Sequence, residues 1–359
     1  MRKLVPFVLV LVLSSAVLQA CSGGGTAGVA QPTSSTAQQQ TPTAGNIDPS
    51  APGPYAVGVT EITFERPSTT SADPRVLATH IWYPAAESAK NATQDEILKG
   101  VTDAELARDN LPLPIIMFSH GSGGTTWQST FYTTHLASYG FVVVAPPHPG
   151  NTAADCLPCV NVEGLVDSFL NRPPDMTFVL ESMLDLNDDP ASPFYQALDG
   201  SRVGISGHSF GGLDVVRMAA EGSSTPFAAA LAMAPAGGGT LPAIDGSVDI
   251  PLMLMGGERD TACPVEIQRD YFETLQGNEQ RYLVIFPRGA HLAYADQCIS
   301  ILGGCGPDDI SQEKAHELVD FYATAFFETY VAGDATYAAF LDPQASAGEP
   351  DVEFEASTP

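Results

Sequence analysis

A serine between two glycines carries the strongest chemical signal in this chain of 359 residues. The run Gly-His-Ser-Phe-Gly at residues 207–211 follows a strand-like segment, residues 202–206, and precedes a helical pattern that begins at Leu213. Side chains two positions before and after the serine would clash with the backbone of so tight a turn, so glycine is needed at both places. The N-terminus of the helix places free N–H groups beside the hydroxyl group, where they stabilise negative charge. This context predicts that Ser209 is a nucleophile held above the end of a strand.

A serine nucleophile of this kind needs a histidine base and an acid that orients the base, in the chain order serine, acid, histidine. Asp260 follows a later predicted strand and is the predicted acid, with Glu258 and Asp249 as its alternatives. His291 is the predicted base, because it alone among the seven histidines combines this order with the end of the next predicted strand. Ser209, Asp260 and His291 together predict acyl transfer through a covalent intermediate.

Other residues near these loops could bind parts of a substrate. The glycine-rich turn at residues 119–124 follows the third predicted strand, and we expect a backbone N–H of this turn to bind an oxyanion. His148 lies in a loop beside the expected site and is a candidate for lining the pocket. Whether Trp127, Phe210 and Tyr294 line the pocket or belong to the core is left open by the sequence.

Strand-like and helix-like segments alternate along most of the chain. Predicted strands lie near residues 56–64, 76–83, 114–118, 141–145, 202–206, 228–234, 250–255 and 281–286. Predicted helices lie near residues 126–138, 174–186, 211–221, 264–275 and 311–331. Such alternation predicts an α/β fold in which helices flank a mostly parallel sheet of about eight strands, with no large lid domain. The loops that carry Ser209, Asp260 and His291 then share the carboxyl edge of the sheet, where ligands bind.

The N-terminus has the features of an export signal, residues 1–20. Arg2 and Lys3 precede an apolar run that is too short to span a membrane. The run Leu-Gln-Ala-Cys at residues 18–21 resembles the lipobox of bacterial lipoproteins, which implies cleavage before Cys21 and attachment of lipid to it. The alternative is an ordinary signal peptide with a cysteine near its cleavage site. We therefore expect a lipoprotein of the bacterial cell envelope, facing the periplasm or the exterior and held on the membrane by its acyl chains.

The remainder of the chain consists of three parts that differ in amino-acid composition. Residues 21–53 are rich in Gly, Ser, Thr, Gln and Pro and have too little apolar surface to fold, so a flexible tether is predicted. Residues 54–341 have the length of one catalytic domain. Residues 342–359 are polar and acidic and are predicted to be a flexible tail.

The formal net charge of −27 argues against nucleic acid as a partner. The partners we expect are a small-molecule ester and, through the lipid on Cys21, a membrane. The predicted reaction needs no metal or organic cofactor. A monomer is expected, although the sequence does not determine the oligomeric state.

The cysteines after Cys21 would be able to form disulfides in an exported protein. They are Cys156, Cys159, Cys263, Cys298 and Cys305. For the closely spaced first pair, a local bridge is favoured over a redox or metal site, because no second Cys-x-x-Cys run accompanies it. Bridges between Cys263 and Cys298 and between Cys298 and Cys305 are alternatives that the sequence leaves open.

Several short motifs together resemble the platelet-activating-factor acetylhydrolases and their bacterial, dienelactone-hydrolase-like relatives. They are Trp-Tyr-Pro at 82–84, Phe-Ser-His-Gly at 118–121, Ala-Pro-Pro-His-Pro-Gly-Asn at 145–151, Arg-Pro-Pro-Asp at 172–175, and the serine turn at 207–212. The resemblance implies the α/β-hydrolase fold, a serine esterase, and an oxyanion hole made by the backbone N–H groups of Ser122 and Phe210. The chain departs from dienelactone hydrolases in having a serine nucleophile, and from the acetylhydrolases in having its acid at Asp260, as in cutinase-like polyester hydrolases.

The sequence thus predicts a serine carboxylesterase of the α/β-hydrolase superfamily that acts on small or short-acyl esters, including phospholipid-derived esters or polyesters. An interfacial lipase or phospholipase is one alternative, and a non-catalytic binding protein on a hydrolase fold is another. With the next helix predicted to begin near Pro174, we expect residues 151–173 to wall a small acyl pocket.

Overall fold

Runs of consecutive apolar residues form the central strands of this protein because helices cover both faces of its sheet. The computed structural model describes residues 47–155, 162–222, 225–238, 244, 246–277, 280–298 and 306–357. The strands are β1 Ala56–Arg66, β2 Arg75–Ala85, β3 Val101–Thr102, β4 Leu113–Ser119, β5 Val142–Ala145, β6 Leu198–His208, β7 Ala229–Met233, β8 Ser247–Val248, β9 Leu252–Gly257, β10 Gln276–Gly277, β11 Arg281–Phe286 and β12 Glu353–Ala356. The helices are α1 Thr130–Ser138, α2 Val162–Asp188, α3 Phe210–Ala219, α4 Val265–Thr274 and α5 Gln312–Phe327, which continues into a π-helical turn, Glu328–Ala332.

The described residues form a ten-stranded sheet in the order β12-β11-β9-β7-β6-β4-β5-β2-β1-β3, and β8 and β10 pair separately. Neighbouring strands from β5 through β4, β6, β7 and β9 to β11 are parallel, whereas β1, β2 and β12 join antiparallel partners. The predicted α/β fold is confirmed. The register pairs Gly207 with Ser119 of β4 and His208 with Met233 of β7. The serine turn therefore emerges at the carboxyl edge of the sheet, beside the glycine-rich turn.

Each face of the sheet buries its own apolar cluster. One cluster joins the sheet to α1 and α5, and its helical members include Leu136 and Phe326. The other joins the opposite face to α2, α3 and α4, and includes Met176, Val215 and Phe272. Because both clusters are closed by helices, the side chains that do chemistry emerge only where the strands end. None of the described helices is both long enough and apolar enough to cross a membrane.

Helix α2 begins earlier than predicted, at Val162 rather than near Pro174, and it contains both Pro173 and Pro174. A proline inside a helix has no N–H for the carbonyl group four residues earlier, which for Pro173 is that of Phe169. Arg217 Nη1 donates to the Phe169 carbonyl oxygen at 2.7 Å and replaces the missing bond. Because Arg217 of α3 supplies this substitute donor, the two prolines can lie inside the helix.

Two segments predicted to be flexible pack on the domain. The last residues of the predicted tether lie against α1, where His135 Nε2 bonds the Pro49 carbonyl oxygen at 2.8 Å and the Gly53 N–H donates to Ser138 Oγ at 2.8 Å. The predicted tail supplies strand β12, which pairs with β11. The tail prediction is therefore wrong, because the polar residues of β12 occupy an exposed edge strand. The signal peptide, Cys21 and most of the tether lie outside the described residues.

Candidate active site

Ser209 lies at the sharp turn between β6 and α3, with φ 57° and ψ −117°. Few non-glycine residues adopt such a backbone conformation, and it marks stored strain. A Cβ atom on Gly211 would lie 2.0 Å from the Ser119 carbonyl oxygen, and one on Gly207 would lie 2.5 Å from the Gly211 carbonyl oxygen. The Ser209 N–H donates to the Met233 carbonyl oxygen at 2.9 Å and holds the turn against β7. The two glycines are thus required by close backbone packing, as predicted.

Ser209, His291 and Asp260 form one hydrogen-bonded chain. Ser209 Oγ lies 3.0 Å from His291 Nε2, and His291 Nδ1 lies 2.7 Å from Asp260 Oδ2. The other oxygen, Asp260 Oδ1, accepts the N–H groups of Ala262 and Cys263 at 2.8 Å each. These backbone bonds hold the carboxylate in one orientation, so the imidazole can accept a proton from the hydroxyl group at Nε2 and keep its own proton at Nδ1.

The two alternative acids lie away from the histidine. Glu258 is paired with Arg269 at 2.7 Å near the surface. Asp249 is exposed and accepts a hydrogen bond from Ser247. Within the described ranges, Asp260 is the carboxylate that contacts His291.

A buried free thiol adjoins the histidine and the carboxylate. Cys263 carries a free thiol, and ligand atoms of Asp260, Cys263 and His291 all lie within 4.8 Å of one another. Burial on its own lowers the pKa of His291, but hydrogen bonds to Asp260 and Cys263 outweigh it and raise the pKa to about 9. In the described part of the chain, these three residues are the one group whose spacing would suit a metal ion. Both ring nitrogens of His291 are already hydrogen-bonded, to Asp260 and to Ser209.

The free thiol of Cys263 also rules out one of the predicted disulfides. Cys298 is disulfide-bonded, but Cys263 is not its partner. A bridge between Cys263 and Cys298 is therefore wrong. Cys156, Cys159 and Cys305 lie outside the described residues.

Ser122 and Phe210, the expected oxyanion donors, both lie near Ser209. Ser122 lines the cleft above Ser209, and Phe210 is the first residue of α3, where an N–H has no partner within the helix. Among the described residues, neither backbone N–H donates a hydrogen bond to another group. Two unpaired donors beside a nucleophilic oxygen can stabilise the negative charge of a tetrahedral intermediate.

Gln128 and His208 connect the three loops of the site, and sequence reasoning missed this connection. Gln128 Oε1 accepts the Gly121 N–H at 2.9 Å, and its Nε2 donates to His208 Nδ1 at 3.0 Å. His208 Nε2 in turn donates to the His291 carbonyl oxygen at 2.9 Å. Burial and the neighbouring His291 hold the pKa of His208 well below its usual range, so the ring is neutral and can accept and donate. No local pattern marks this role of Gln128, because its second partner, His208, is 80 residues away in the chain.

The cleft above Ser209 has a volume of about 240 Å³. Its lining residues are Gly121, Ser122, Gly123, Gly124, Thr125, Trp127, Gln128, Ala153, His208, Ser209, His291, Leu292, Ala295 and Gln297. The structure thus places Trp127 in the cleft wall. Phe210 is not part of this wall and is buried under the guanidinium group of Arg172.

His148 and Tyr294, the other candidates for lining, are fully buried and do not reach the cleft. His148 Nε2 is bonded to Ser119 Oγ at 2.9 Å behind the oxyanion turn. The Tyr294 ring stacks on Phe286 at 5.7 Å and belongs to the core. Their positions near the motifs in the sequence did not reveal that their side chains point inwards.

The expectation that residues 151–173 wall the pocket is wrong for most of the segment. In its described part, only Ala153 lines the cleft. Val166 and Leu170 are exposed on α2, at 53% and 47% of their surface, and the Phe169 ring packs on Arg217 at 3.7 Å. Since these residues belong to a helix, their apolar side chains follow its surface and do not converge on Ser209.

Several known proteins resemble this chain in sequence or in fold. Residues 122–358 match the model of a family described as PET hydrolase-like. Cutinase 2 of Thermobifida cellulosilytica is 23% identical over 237 residues, which are 66% of this chain and 75% of the relative. Cutinase est1 of Thermobifida alba is 22% identical over 237 residues, 66% of this chain and 67% of the relative. A solved ferulic acid esterase from Streptomyces cinnamoneus superposes with a TM-score of 0.64 at 23% identity, covering 85% of this chain and 98% of that one, and thus shares the fold.

Proposed function

Because the chain belongs to the PET hydrolase-like family and is a serine carboxylic ester hydrolase, we propose that Ser209, His291 and Asp260 carry out its acyl transfer. His291 Nε2 takes the proton of Ser209 Oγ as this oxygen bonds to the ester carbonyl carbon. Asp260 keeps the imidazole in the required tautomer and stabilises its positive form. The observation that carries this assignment is the continuous chain of hydrogen bonds, 3.0 Å from serine to histidine and 2.7 Å from histidine to aspartate.

The oxyanion of each tetrahedral intermediate is held by the N–H groups of Ser122 and Phe210, each contributing about 3 kcal/mol. When the first intermediate collapses, His291 gives its proton to the leaving alcohol and the acyl group stays on Ser209. A water molecule then loses a proton to His291 and attacks the acyl carbon. The carboxylic acid leaves, and Ser209 recovers its proton from His291.

We propose small or short-acyl esters as the substrate class, with phospholipid-derived esters and polyesters as the two forms to test first. The cleft of about 240 Å³ is smaller than the clefts of about 300–1,000 Å³ that enclose drug-sized ligands, so it holds one short group well. The motif resemblance to platelet-activating-factor acetylhydrolases supports a short acyl group. The cutinase relatives and the family description support a polyester.

A panel of nitrophenyl esters tests the substrate class. We expect kcat/KM to fall steeply from acetyl and butyryl to palmitoyl esters, with no rise in rate above the solubility limit of the substrate. The Ser209→Ala protein provides the background rate. Faster hydrolysis of long-chain triglyceride emulsions than of dissolved short esters would contradict the proposal and favour the interfacial lipase.

We also propose that the protein is exported and anchored in the bacterial cell envelope through lipid on Cys21. The run at residues 18–21 supports the anchor, and the disulfide of Cys298 supports an oxidising compartment. Full-length protein made in a bacterium should incorporate labelled fatty acid and fractionate with membranes, and Cys21→Ser should abolish both. Labelling that survives this substitution would contradict the proposal, and export without labelling would favour an ordinary signal peptide.

The assembled triad argues against the alternative of a non-catalytic binding protein. A net charge of −27 supports the proposal that nucleic acid is not a partner. We also propose that the protein is a monomer.

A further inference from the structure

A fully buried arginine lies behind the oxyanion turn. Arg172 is in α2, and none of its surface is exposed. A guanidinium group has five N–H donors, and each of them has an acceptor here. Nε donates to Ser168 Oγ at 2.7 Å, Nη1 to Ser119 Oγ at 3.2 Å and to the His120 carbonyl oxygen, and Nη2 to the Gly121 carbonyl oxygen at 3.3 Å and to Asn151 Oδ1 at 2.8 Å.

Burying this charge is costly, and packing alone does not account for it. A buried cation needs a counter-charge and complete hydrogen bonding to be tolerated at all. Asp214 is the nearest acidic side chain, with Oδ2 at 3.6 Å from Arg172 Nη1, and burial raises its pKa to about 7. Burial lowers the pKa of Arg172, but only to about 10, so the group remains charged at neutral pH.

Arg172 takes part in the hydrogen bonds that orient the peptide between Gly121 and Ser122, through the carbonyl oxygens of both His120 and Gly121. A trans peptide is planar, so its C=O and N–H groups point in opposite directions. The Gly121 carbonyl oxygen accepts hydrogen bonds from His120 Nδ1 at 2.7 Å, from the Gly124 N–H at 3.0 Å and from Arg172 Nη2 at 3.3 Å. The Ser122 N–H must then point the other way, and Ser122 lies in the cleft wall.

Asn151 connects the same arginine to Ser122 by a second route. Its Oδ1 accepts from Arg172, and its Nδ2 donates to Ser122 Oγ at 3.0 Å. The backbone carbonyl oxygen of Asn151 also accepts the Gly123 N–H at 3.0 Å. Both ends of the oxyanion turn therefore depend on groups that Arg172 orders.

We propose that Arg172 is a positioning residue for ester hydrolysis, which holds the Gly121–Ser122 peptide so that the Ser122 N–H is aimed at the oxyanion. The inference rests on the proposed function, since it assigns a task within the same reaction. Arg172 does not touch the substrate and acts through the turn. Its contribution should therefore appear when the oxyanion forms, and substrate binding should depend on it little.

Arg172→Lys tests the proposal, because a lysine keeps the charge but cannot bond both carbonyl groups and Asn151 in one plane. We expect kcat to fall about 10²-fold to 10³-fold, as for loss of an oxyanion donor, with KM changed by less than about threefold. The pH at which kcat/KM is half-maximal should not move, since the bonds of His291 are untouched. Affinity for a boronate that forms a tetrahedral adduct with Ser209 should fall with kcat.

Arg75→Lys is the matched control. Arg75 is also a buried arginine, and its Nη2 pairs with Asp175 at 2.8 Å, but its bonds do not reach residues 119–122. Asn151→Ala is a smaller change that removes the second connection and should lower kcat in the same direction, by about tenfold. Circular dichroism and thermal unfolding establish that each variant is folded.

A folded Arg172→Lys protein with kcat within about threefold of the wild type would overturn the proposal. An equal fall in Arg75→Lys would also overturn it, because the effect would then be general to buried arginines. Loss of folding in both Arg172→Lys and Asn151→Ala would overturn it as well, because the hydrogen bonds of Arg172 would then serve only to stabilise the fold. Failure of the wild-type protein itself to hydrolyse esters would count against the proposed function instead.

Discussion

Asp260 and Glu258 lie two residues apart on one loop, but their side chains have different partners. Asp260 accepts two backbone N–H groups and bonds His291, whereas Glu258 pairs with Arg269 near the surface. Chain order alone allowed either of them to be the acid. The backbone N–H groups of Ala262 and Cys263, in the loop before α4, distinguish the two acids because they hold the Asp260 carboxylate towards His291.

Asp260→Asn should lower kcat by about 10³-fold to 10⁴-fold, because an amide cannot stabilise the imidazolium and favours the wrong tautomer. Glu258→Gln is the matched control on the same loop and should change kcat little. Steady-state kinetics with a soluble nitrophenyl ester measures both. A large loss in Glu258→Gln, with Asp260→Asn nearly normal, would show that the acid is wrongly assigned.

The raised pKa of His291 predicts an alkaline pH profile. The base must be neutral to accept the serine proton, and its pKa is raised to about 9 from a usual 6.5. The value of kcat/KM should therefore rise with pH, be half-maximal near pH 9 and level off about one pH unit higher. A half-maximal rate at or below pH 6.5 would contradict this prediction.

Cys263→Ala should move this rise to lower pH, because the thiol is one of the groups that raise the pKa of His291. The substitution leaves the bond between His291 and Asp260 in place. Glu258→Gln serves as the control and should leave the rise where it is. An unchanged profile in Cys263→Ala would mean that the thiol does not influence the histidine.

The positions of Ser209, Asp260 and His291 could be predicted because each follows a strand in a required order. Gln128, His208 and Arg172 could not be given their roles in this way. Their roles depend on hydrogen bonds that join separate loops, such as those from Gln128 to His208 and from Arg172 to the His120 carbonyl oxygen, and no local spacing encodes such contacts. The prediction of pocket lining held for Trp127 and failed for His148 and Tyr294, because nearness in sequence does not say where a side chain points.

At the scale of elements, the turn between β6 and α3 needs glycine at positions 207 and 211, because a Cβ atom at either position would meet backbone atoms. Gly211→Ala would place a Cβ atom 2.0 Å from the Ser119 carbonyl oxygen, which belongs to the backbone and cannot rotate away. We expect a loss of at least about 2 kcal/mol in the free energy of unfolding, and severe loss of esterase activity. Chemical denaturation and esterase assays measure the two effects.

Gly200→Ala is the control for this prediction. Its Cβ atom would lie 3.1 Å from Leu184 Cδ2, at the end of a flexible side chain, so the neighbour can move aside. This change should cost little stability and leave activity intact. Equal effects of the two substitutions would contradict the role of close packing at the serine turn.

Strand and helix positions were predictable for most of the sheet because their apolar runs are long and well separated. The start of α2 was not, since the prolines at 173 and 174 normally mark the beginning of a helix. A donor from α3, Arg217, makes the longer helix tolerable. Such tertiary compensation leaves no trace in the local sequence.

At the scale of the whole molecule, the C-terminal residues complete one edge of the sheet. Strand β12 pairs with β11, and Asp351 bonds Arg288 at 2.8 Å on the approach to the loop of His291. The acidic composition of these residues suggested a flexible tail. It fits an edge strand equally well, because such a strand has only one buried face and can be polar. The sequence therefore predicted the fold class but missed this edge.

A chain that ends at Glu349 should unfold at a temperature several degrees lower, at roughly 2–4 °C per kcal/mol lost, because β11 loses its partner. The exposed edge should also promote aggregation. A chain that ends at Ser357 keeps β12 and is the control. Equal midpoints in differential scanning calorimetry would mean that β12 adds nothing to stability.

The most direct test of the central claim is the intact mass of the protein after reaction with a fluorophosphonate, read alongside esterase activity. We predict one adduct per chain, located on Ser209, with activity lost in proportion to labelling. Ser209→Ala should take up no probe and lose more than about 10³-fold in kcat while remaining folded. A folded Ser209→Ala protein with near-normal kcat, or an adduct on another residue, would contradict the account.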